Sequence, residues 1–85
     1  MSMENVTIIF RRVEEMMQYG HLSELNDRLR EIDVDATDTD LLLAWLTAIL
    51  PVRYQLPARL ELFAETKRVM IERGDFEPGI LDGLE

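Results

Sequence analysis

Apolar side chains recur at helical spacing near the start of the chain. Between residues 4 and 18 they fall three or four positions apart, which predicts one face of an amphipathic helix, and Gly20 offers a left-handed stop. The stripe consists of Val6, Ile9, Phe10, Val13, Met16 and Met17. Residues 6–10 taken alone are also compatible with a β-strand. Because the stripe continues for two more turns, we predict a helix.

A second, shorter helix is predicted over residues 23–32. Ser23 is a favourable N-cap, and Leu22 before it can pack onto the following turn. The apolar seam of this helix is narrow and consists of Leu22, Leu25, Leu29 and Ile32. Acidic and arginine side chains occupy most of the other positions. This helix is therefore expected to lie at the protein surface, with only its apolar seam packed against the core.

The most informative segment, residues 37–50, is apolar on every side after an acidic start. Thr37 or Asp38 is expected to cap this third helix, and Pro51 to end it. A helix that is apolar all round must be covered all round, either by the rest of the fold or by a second molecule. This segment is therefore expected to organise the core. Trp45 can pack between helices one, two and four of the same chain or against its copy in a two-fold dimer, and we favour a homodimer.

A fourth helix is predicted from Pro57, which suits the first helical position, to residue 73, with Gly74 closing it. Its apolar line is expected to comprise Leu56, Leu60, Phe63, Lys67 and Met70, joined by Ala64 and Ile71 and widened by Leu62 and Val69. The connection over residues 51–56 is short, so helices three and four should pack as antiparallel neighbours. One further helical turn is expected in the tail, anchored by Phe76, Ile80, Leu81 and Leu84.

The sequence as a whole predicts an all-α protein, a compact bundle of four helices plus a short C-terminal helical turn. With 85 residues, the chain is expected to form a single domain, residues 1–85. The longest apolar run, residues 41–50, is about half of the roughly 20 residues that a membrane span needs. We therefore expect no membrane insertion, and the absence of cysteine fits a cytoplasmic location.

Charge is the second informative property of the chain. Seventeen acidic residues against nine lysines and arginines give a net charge of −8. The excess lies mainly in residues 24–40, with seven acids and two arginines, and in residues 75–85, with four acids and no base. Such a balance disfavours nucleic acid as a ligand and favours basic partners. A helix-turn-helix over helices three and four is disfavoured for the same reason, and because two prolines lengthen its turn.

The sequence offers little catalytic or metal-binding chemistry. A calcium loop that started at Asp33 would need glycine at its sixth position and glutamate at its twelfth, where this chain has Asp38 and Ala44. The single histidine, His21, lies beside Gly20 in a predicted turn and lacks a partner for a zinc motif or a serine-hydrolase triad. We therefore expect no enzymatic activity, no cofactor and no metal.

What remains is the binding of another protein. We predict a non-enzymatic, acidic docking or regulatory module whose contacts come from Trp45, Tyr54, Arg59 and Phe63, residue types that are enriched at interfaces. The alternative is an acidic inhibitor of the phage type, a nucleic-acid mimic that blocks a basic nucleic-acid-binding protein. That alternative requires the acids of residues 24–40 and 75–85 to converge on one face.

Overall fold

Five α-helices and two 3₁₀ segments make up the part of the chain that the structure describes. The computed structural model describes the main chain of residues 3–85 and the side chains of residues 5–85. The α-helices are α1 (Met3–Gln18), α2 (Leu22–Glu31), α3 (Thr39–Ala48), α4 (Ala58–Arg73) and α5 (Pro78–Asp82); the 3₁₀ segments are Val34–Ala36 and Leu50–Gln55. The described chain contains no strand, so residues 6–10 are helical and the predicted all-α bundle is confirmed.

The helices pack around α3. It contacts α1 on one side and α4 on another, while α2 contacts both α1 and α4. The predicted contact between the third and fourth helices is therefore confirmed. The largest fully buried side chains come from every major helix: Val13, Leu25, Leu42, Leu46, Ile49, Leu56, Val69, Met70 and Thr66.

Two helices end at a glycine in the left-handed conformation. Gly20 has φ of +73° and Gly74 has φ of +76°, a region that residues with a Cβ rarely adopt. At the end of α1, the amides of Gly20 and His21 donate to the carbonyl oxygens of Met17 and Met16 at 3.3 and 2.8 Å. This is a Schellman motif, and the amides of Gly74 and Asp75 repeat it at the end of α4.

The start of α2 differs from the predicted start at Ser23. Because the Schellman motif ends at His21, the next helix begins immediately at Leu22, and His21 occupies the N-cap position without a side-chain cap hydrogen bond. Ser23 is therefore inside the first turn, and its prediction as the N-cap was wrong. The imidazole Nδ1 of His21 instead lies 3.5 Å from a carboxylate oxygen of Glu24, and both side chains are exposed.

The apolar helix α3 is covered by its own chain. Leu42, Leu46 and the following Ile49 are almost inaccessible to solvent, and Trp45 is 8% exposed. Leu41 and Leu43 are half-buried. The helix starts after Asp38, whose side chain makes no cap hydrogen bond. A second molecule is therefore not needed to shield α3.

The orientation of α4 differs most from the prediction. The buried side of α4 carries Ala58, Arg59, Leu62, Thr66, Val69 and Met70. Leu60, which was predicted to face the core, is 65% exposed, and Ile71 is 56% exposed. Apolar residues occupy two sides of this helix, and packing the other side inward would bury the ammonium of Lys67, which is costly.

Two smaller expectations also fail. Phe10 was placed in the apolar stripe of α1 but is 39% exposed, whereas Ile9 and Val13 are buried. In the tail, Leu81 and Leu84 are buried as predicted, but Ile80 is 41% exposed. Both exposed side chains lie at the edge of their predicted stripe, where a small rotation of the helix decides burial.

Candidate interaction surfaces

The structure places the four predicted contact residues in three different environments. Tyr54 is 82% exposed, Phe63 is half-buried, and Trp45 and Arg59 are each 8% exposed. Trp45 belongs to the buried core, so in the isolated chain it is not presented to a partner. The other three residues are connected through contacts described next.

Arg53 links Tyr54 to the end of the chain. Its guanidinium carbon lies 4.5 Å from the centre of the Tyr54 ring, which is within the range of a cation–π contact. Its Nε donates to the main-chain oxygen of Glu85 at 3.0 Å, and its Nη1 donates to the carbonyl of Leu50 at 2.5 Å. The bond to Glu85 holds the 3₁₀ segment Leu50–Gln55 against that residue, whereas the bond to Leu50 lies within the segment.

Arg59 binds the same end of the chain from α4. Its Nη2 donates to the carbonyl of Leu84 at 3.1 Å and also to the main-chain oxygen of Glu85. Its guanidinium carbon lies 5.6 Å from the centre of the Phe63 ring. A buried guanidinium is tolerated here because carbonyl oxygens replace part of its hydration. We call Arg53, Tyr54, Arg59 and Phe63 the aromatic–arginine cluster.

A second surface gathers acidic side chains around two arginines near the end of α4. Arg68 donates to Asp35, Glu65 and Glu72 at distances from 2.6 to 3.2 Å. Glu61, seven positions before Arg68, has no ion pair among the described residues. Hydrogen bonds to Glu65, Asp35 and Glu72 raise the pKa of the Arg68 guanidinium above its ordinary value. These hydrogen bonds therefore favour the charged form of a guanidinium that is already charged at neutral pH.

Arg73 extends this surface to the start of α3. Its guanidinium donates to the carbonyl oxygens of Thr37, Val34 and Asp35 and to the hydroxyl of Thr39, at 2.8 to 3.2 Å. It also lines an open depression together with Asp38, Thr39, Asp40 and Asp75. We call Asp35, Asp38, Asp40, Glu65, Glu72 and Asp75, with Arg68 and Arg73 between them, the acidic rim. The inhibitor alternative requires the eleven acids of residues 24–40 and 75–85 on one face, and four of them belong to this rim: Asp35, Asp38, Asp40 and Asp75.

Neither surface has the geometry of a metal centre or a membrane element. Among the residues whose side chains are described, no group of three or more histidine or carboxylate side chains is placed to hold a metal ion. Within the described chain, every helix is too short or too polar to cross a bilayer.

Two important contacts were absent from the sequence prediction. The side-chain oxygen of Asn26 on α2 accepts a hydrogen bond from the amide of Ala58 at 2.8 Å and so caps α4 from another helix. Arg73, for which the sequence predicted no partner, donates to residues 34–39. Both contacts join residues more than 30 positions apart, and local spacing carries no signal for them.

Comparison of the chain with protein-family models, with curated proteins and with solved structures finds no match.

Proposed function

We propose that the protein is a non-enzymatic, cytoplasmic interaction module that docks onto another protein through the aromatic–arginine cluster. The observation that carries this proposal is Tyr54, an 82% exposed aromatic side chain held beside Arg53 at 4.5 Å. Tyrosine and arginine dominate binding energy at many protein interfaces. Arg53 is itself anchored by main-chain oxygens of Leu50 and Glu85, so less conformational entropy is lost when a partner binds.

The proposal assigns different roles to the four predicted residues. Tyr54 and the exposed edge of Phe63 contact the partner, while Arg59 holds the ring of Phe63 and residues 84–85 in place. Trp45 contributes only through the core. A substitution at Arg59 should therefore weaken binding by loosening the surface, whereas one at Tyr54 should remove a direct contact.

The test compares two exposed tyrosines. Tyr54→Ala and Tyr19→Ala, the latter at a residue that is 68% exposed on another part of the surface, are immobilised beside the unchanged protein and incubated with nuclease-treated lysate of the source cells. We expect one protein to be captured by the unchanged chain and by Tyr19→Ala, and to be lost from Tyr54→Ala. Equal capture by both variants, or no specific capture by the unchanged protein, would exclude the cluster as the docking site.

The acidic rim favours a second function, the inhibition of a basic nucleic-acid-binding protein. Its six carboxylates and two guanidiniums carry a net charge of −4, which is half of the charge of the whole chain. A dense array of carboxylates can replace phosphates on a basic surface, and such binding weakens steeply as salt rises.

Charge-neutral variants separate the second function from the first. The triple variant Asp38→Asn, Asp40→Asn, Asp75→Asn removes three charges from the rim, and Glu14→Gln, Glu15→Gln, Asp27→Asn removes three charges from α1 and α2. If the rim is the binding site, only the first variant releases the captured protein at lower NaCl, and added DNA displaces it from the unchanged chain. If both variants behave alike, general acidity rather than the rim is responsible.

A further inference from the structure

Two arginines from different parts of the fold donate to the same main-chain oxygen. Arg53 lies in the 3₁₀ segment and Arg59 in α4, and both donate to the main-chain oxygen of Glu85. Arg59 also donates to the carbonyl oxygen of Leu84 at 3.1 Å. Hydrogen bonds from guanidinium groups are strongest when the acceptor is itself charged. The two donors therefore suit a carboxylate at the position that the main-chain oxygen of residue 85 occupies.

Neither of these arginines is paired with an acidic side chain. Residues 41–60 contain Arg53 and Arg59 and no acidic residue. Among the described side chains, no ion pair joins either guanidinium to a carboxylate. Arg59 is only 8% exposed, and a buried charge is ordinarily balanced by a charge of opposite sign. Although the whole chain carries a net charge of −8, this site is locally positive and favours an anionic ligand.

The segment that occupies this site is held by few side chains. Within residues 77–85, Leu81 is 4% exposed and Leu84 is 7% exposed, and every other residue of the segment is exposed. No acidic side chain of the segment forms an ion pair in the part of the chain that the structure describes. A short segment with so few buried contacts opens more readily than the longer helices beneath it. Its opening uncovers the donors of Arg59 together with the apolar surface that Leu84 covers.

We propose that the aromatic–arginine cluster binds the C-terminal end of its partner protein, a leucine followed by one residue that bears the main-chain carboxylate. The inference rests on the proposed function and names the chemistry of the partner. The partner's carboxylate takes the place of the main-chain oxygen of Glu85 on Arg53 and Arg59, and its leucine takes the place of Leu84. Capture of a C-terminal carboxylate is a recurring mode of peptide recognition. Tyr54 is 82% exposed with the chain's own segment in place, so a partner gains a contact there that residues 84–85 leave unused.

Binding of a fluorescent peptide with the sequence of residues 78–85 and a free carboxylate tests the site, with fluorescence anisotropy as the measurement. Leu84→Ser in the full chain removes a buried anchor of the chain's own segment, and Ile80→Ser, at a residue of α5 that is 41% exposed, is the matched control. We expect Leu84→Ser to bind the peptide at least about tenfold more tightly than Ile80→Ser or the unchanged chain, because more molecules have the site open. Leu81→Ser provides a second variant if circular dichroism shows that Leu84→Ser unfolds. Equal binding by all these chains, or no binding, would overturn the proposal.

Changes to the end of the peptide test the carboxylate. Replacing the free carboxylate by an amide should weaken binding to Leu84→Ser at least about tenfold, because the acceptor shared by two guanidiniums loses its charge. A peptide with glutamine in place of its last glutamate should bind nearly as well as the original, since the side chain is not the bound group. Adding Arg53→Gln to Leu84→Ser should reduce the difference between the carboxylate and the amide, as a double-mutant cycle measures. Equal binding of carboxylate and amide, or a difference that Arg53→Gln leaves intact, would show that the arginines do not recognise a carboxylate.

This inference and the proposed function fail separately. If Tyr54→Ala loses the captured protein but the peptide does not displace that protein from the unchanged chain, the cluster is the docking site and the C-terminal carboxylate is wrong. If the peptide binds Leu84→Ser as expected while Tyr54→Ala captures the protein normally, the carboxylate site stands and the proposed function is wrong. Concentration-dependent dimers that the peptide dissociates, measured by sedimentation, would make the ligand residues 84–85 of a second copy, and would overturn the assignment to another protein.

Discussion

α3 and α4 lie against each other but use their apolar residues in opposite ways. α3 buries nearly everything apolar that it carries, including Trp45, and exposes Thr47. α4 buries Arg59 and Thr66 while Leu60 and Ile71 face solvent. The difference shows that the most apolar helix takes the centre of this small bundle. For a helix with apolar residues on two sides, the cost of burying the polar groups on each side decides which side packs inward.

The largest expected effect comes from removing the centre of α3. Trp45→Ala should destabilise the protein by about 3–5 kcal/mol, because it leaves a cavity in a closely packed core. Ile71→Ala on the exposed side of α4 should change stability by less than about 0.5 kcal/mol. Urea unfolding followed by circular dichroism measures the stability of both variants, and this signal does not depend on the tryptophan that Trp45→Ala removes. Similar losses for the two variants would mean that α3 and α4 do not differ in burial as described.

The second-largest expected loss of stability comes from substituting Arg59, the buried arginine of α4. Arg59→Met keeps much of the side-chain volume but removes the donors to the main-chain oxygens of Leu84 and Glu85. We expect a loss of about 1.5–3 kcal/mol, the range for hydrogen bonds that involve a charged group. Arg28→Met, at an exposed ion pair with Glu31 on α2, should cost less than about 1 kcal/mol. Equal costs in thermal unfolding would show that the acceptors at residues 84–85 contribute nothing.

The smallest expected effect is a gain in stability, at Thr66. The hydroxyl of Thr66 is fully buried, and no hydrogen-bond partner for it lies among the described residues. Thr66→Val keeps the shape of the side chain and removes the unpaired hydroxyl, so it should raise stability by about 1 kcal/mol. Thr47→Val is the matched control, since the Thr47 hydroxyl is exposed and donates to the carbonyl of Leu43 at 2.7 Å. A loss of stability in Thr66→Val would indicate that its hydroxyl is satisfied within the core.

The sequence predicted those features that depend on local spacing. The helices, both left-handed glycines and the central position of α3 follow from the periodicity and from residues 20, 51 and 74. The rotation of α4 could not be predicted in this way, because two of its sides carry apolar residues at equally good spacing. The outcome depends on carbonyl oxygens of residues 84–85 that accept from Arg59, a contact across 25 positions or more.

The candidate sites also divide into what local sequence predicts and what long-range contacts determine. Tyr54 and Phe63 were predicted from residue type and lie at the surface, whereas Trp45, predicted on the same basis, is in the core. The residue type indicates how well a side chain can bind a partner if it is exposed. Whether it is exposed depends on the tertiary fold. The acidic rim was foreseen only as a requirement of the inhibitor hypothesis, and its assembly depends on Arg68 and Arg73 binding a distant segment.

Arg73 also determines which parts of the protein open together. One guanidinium at the last turn of α4 holds the carbonyl oxygens of Val34, Asp35 and Thr37, immediately before α3 begins. We therefore expect fraying of that last turn to loosen residues 34–39 at the same time. In amide hydrogen exchange, the end of α4 and this connection should form one cooperative unit, separate from the start of α4, whose first amide is held by Asn26 of α2.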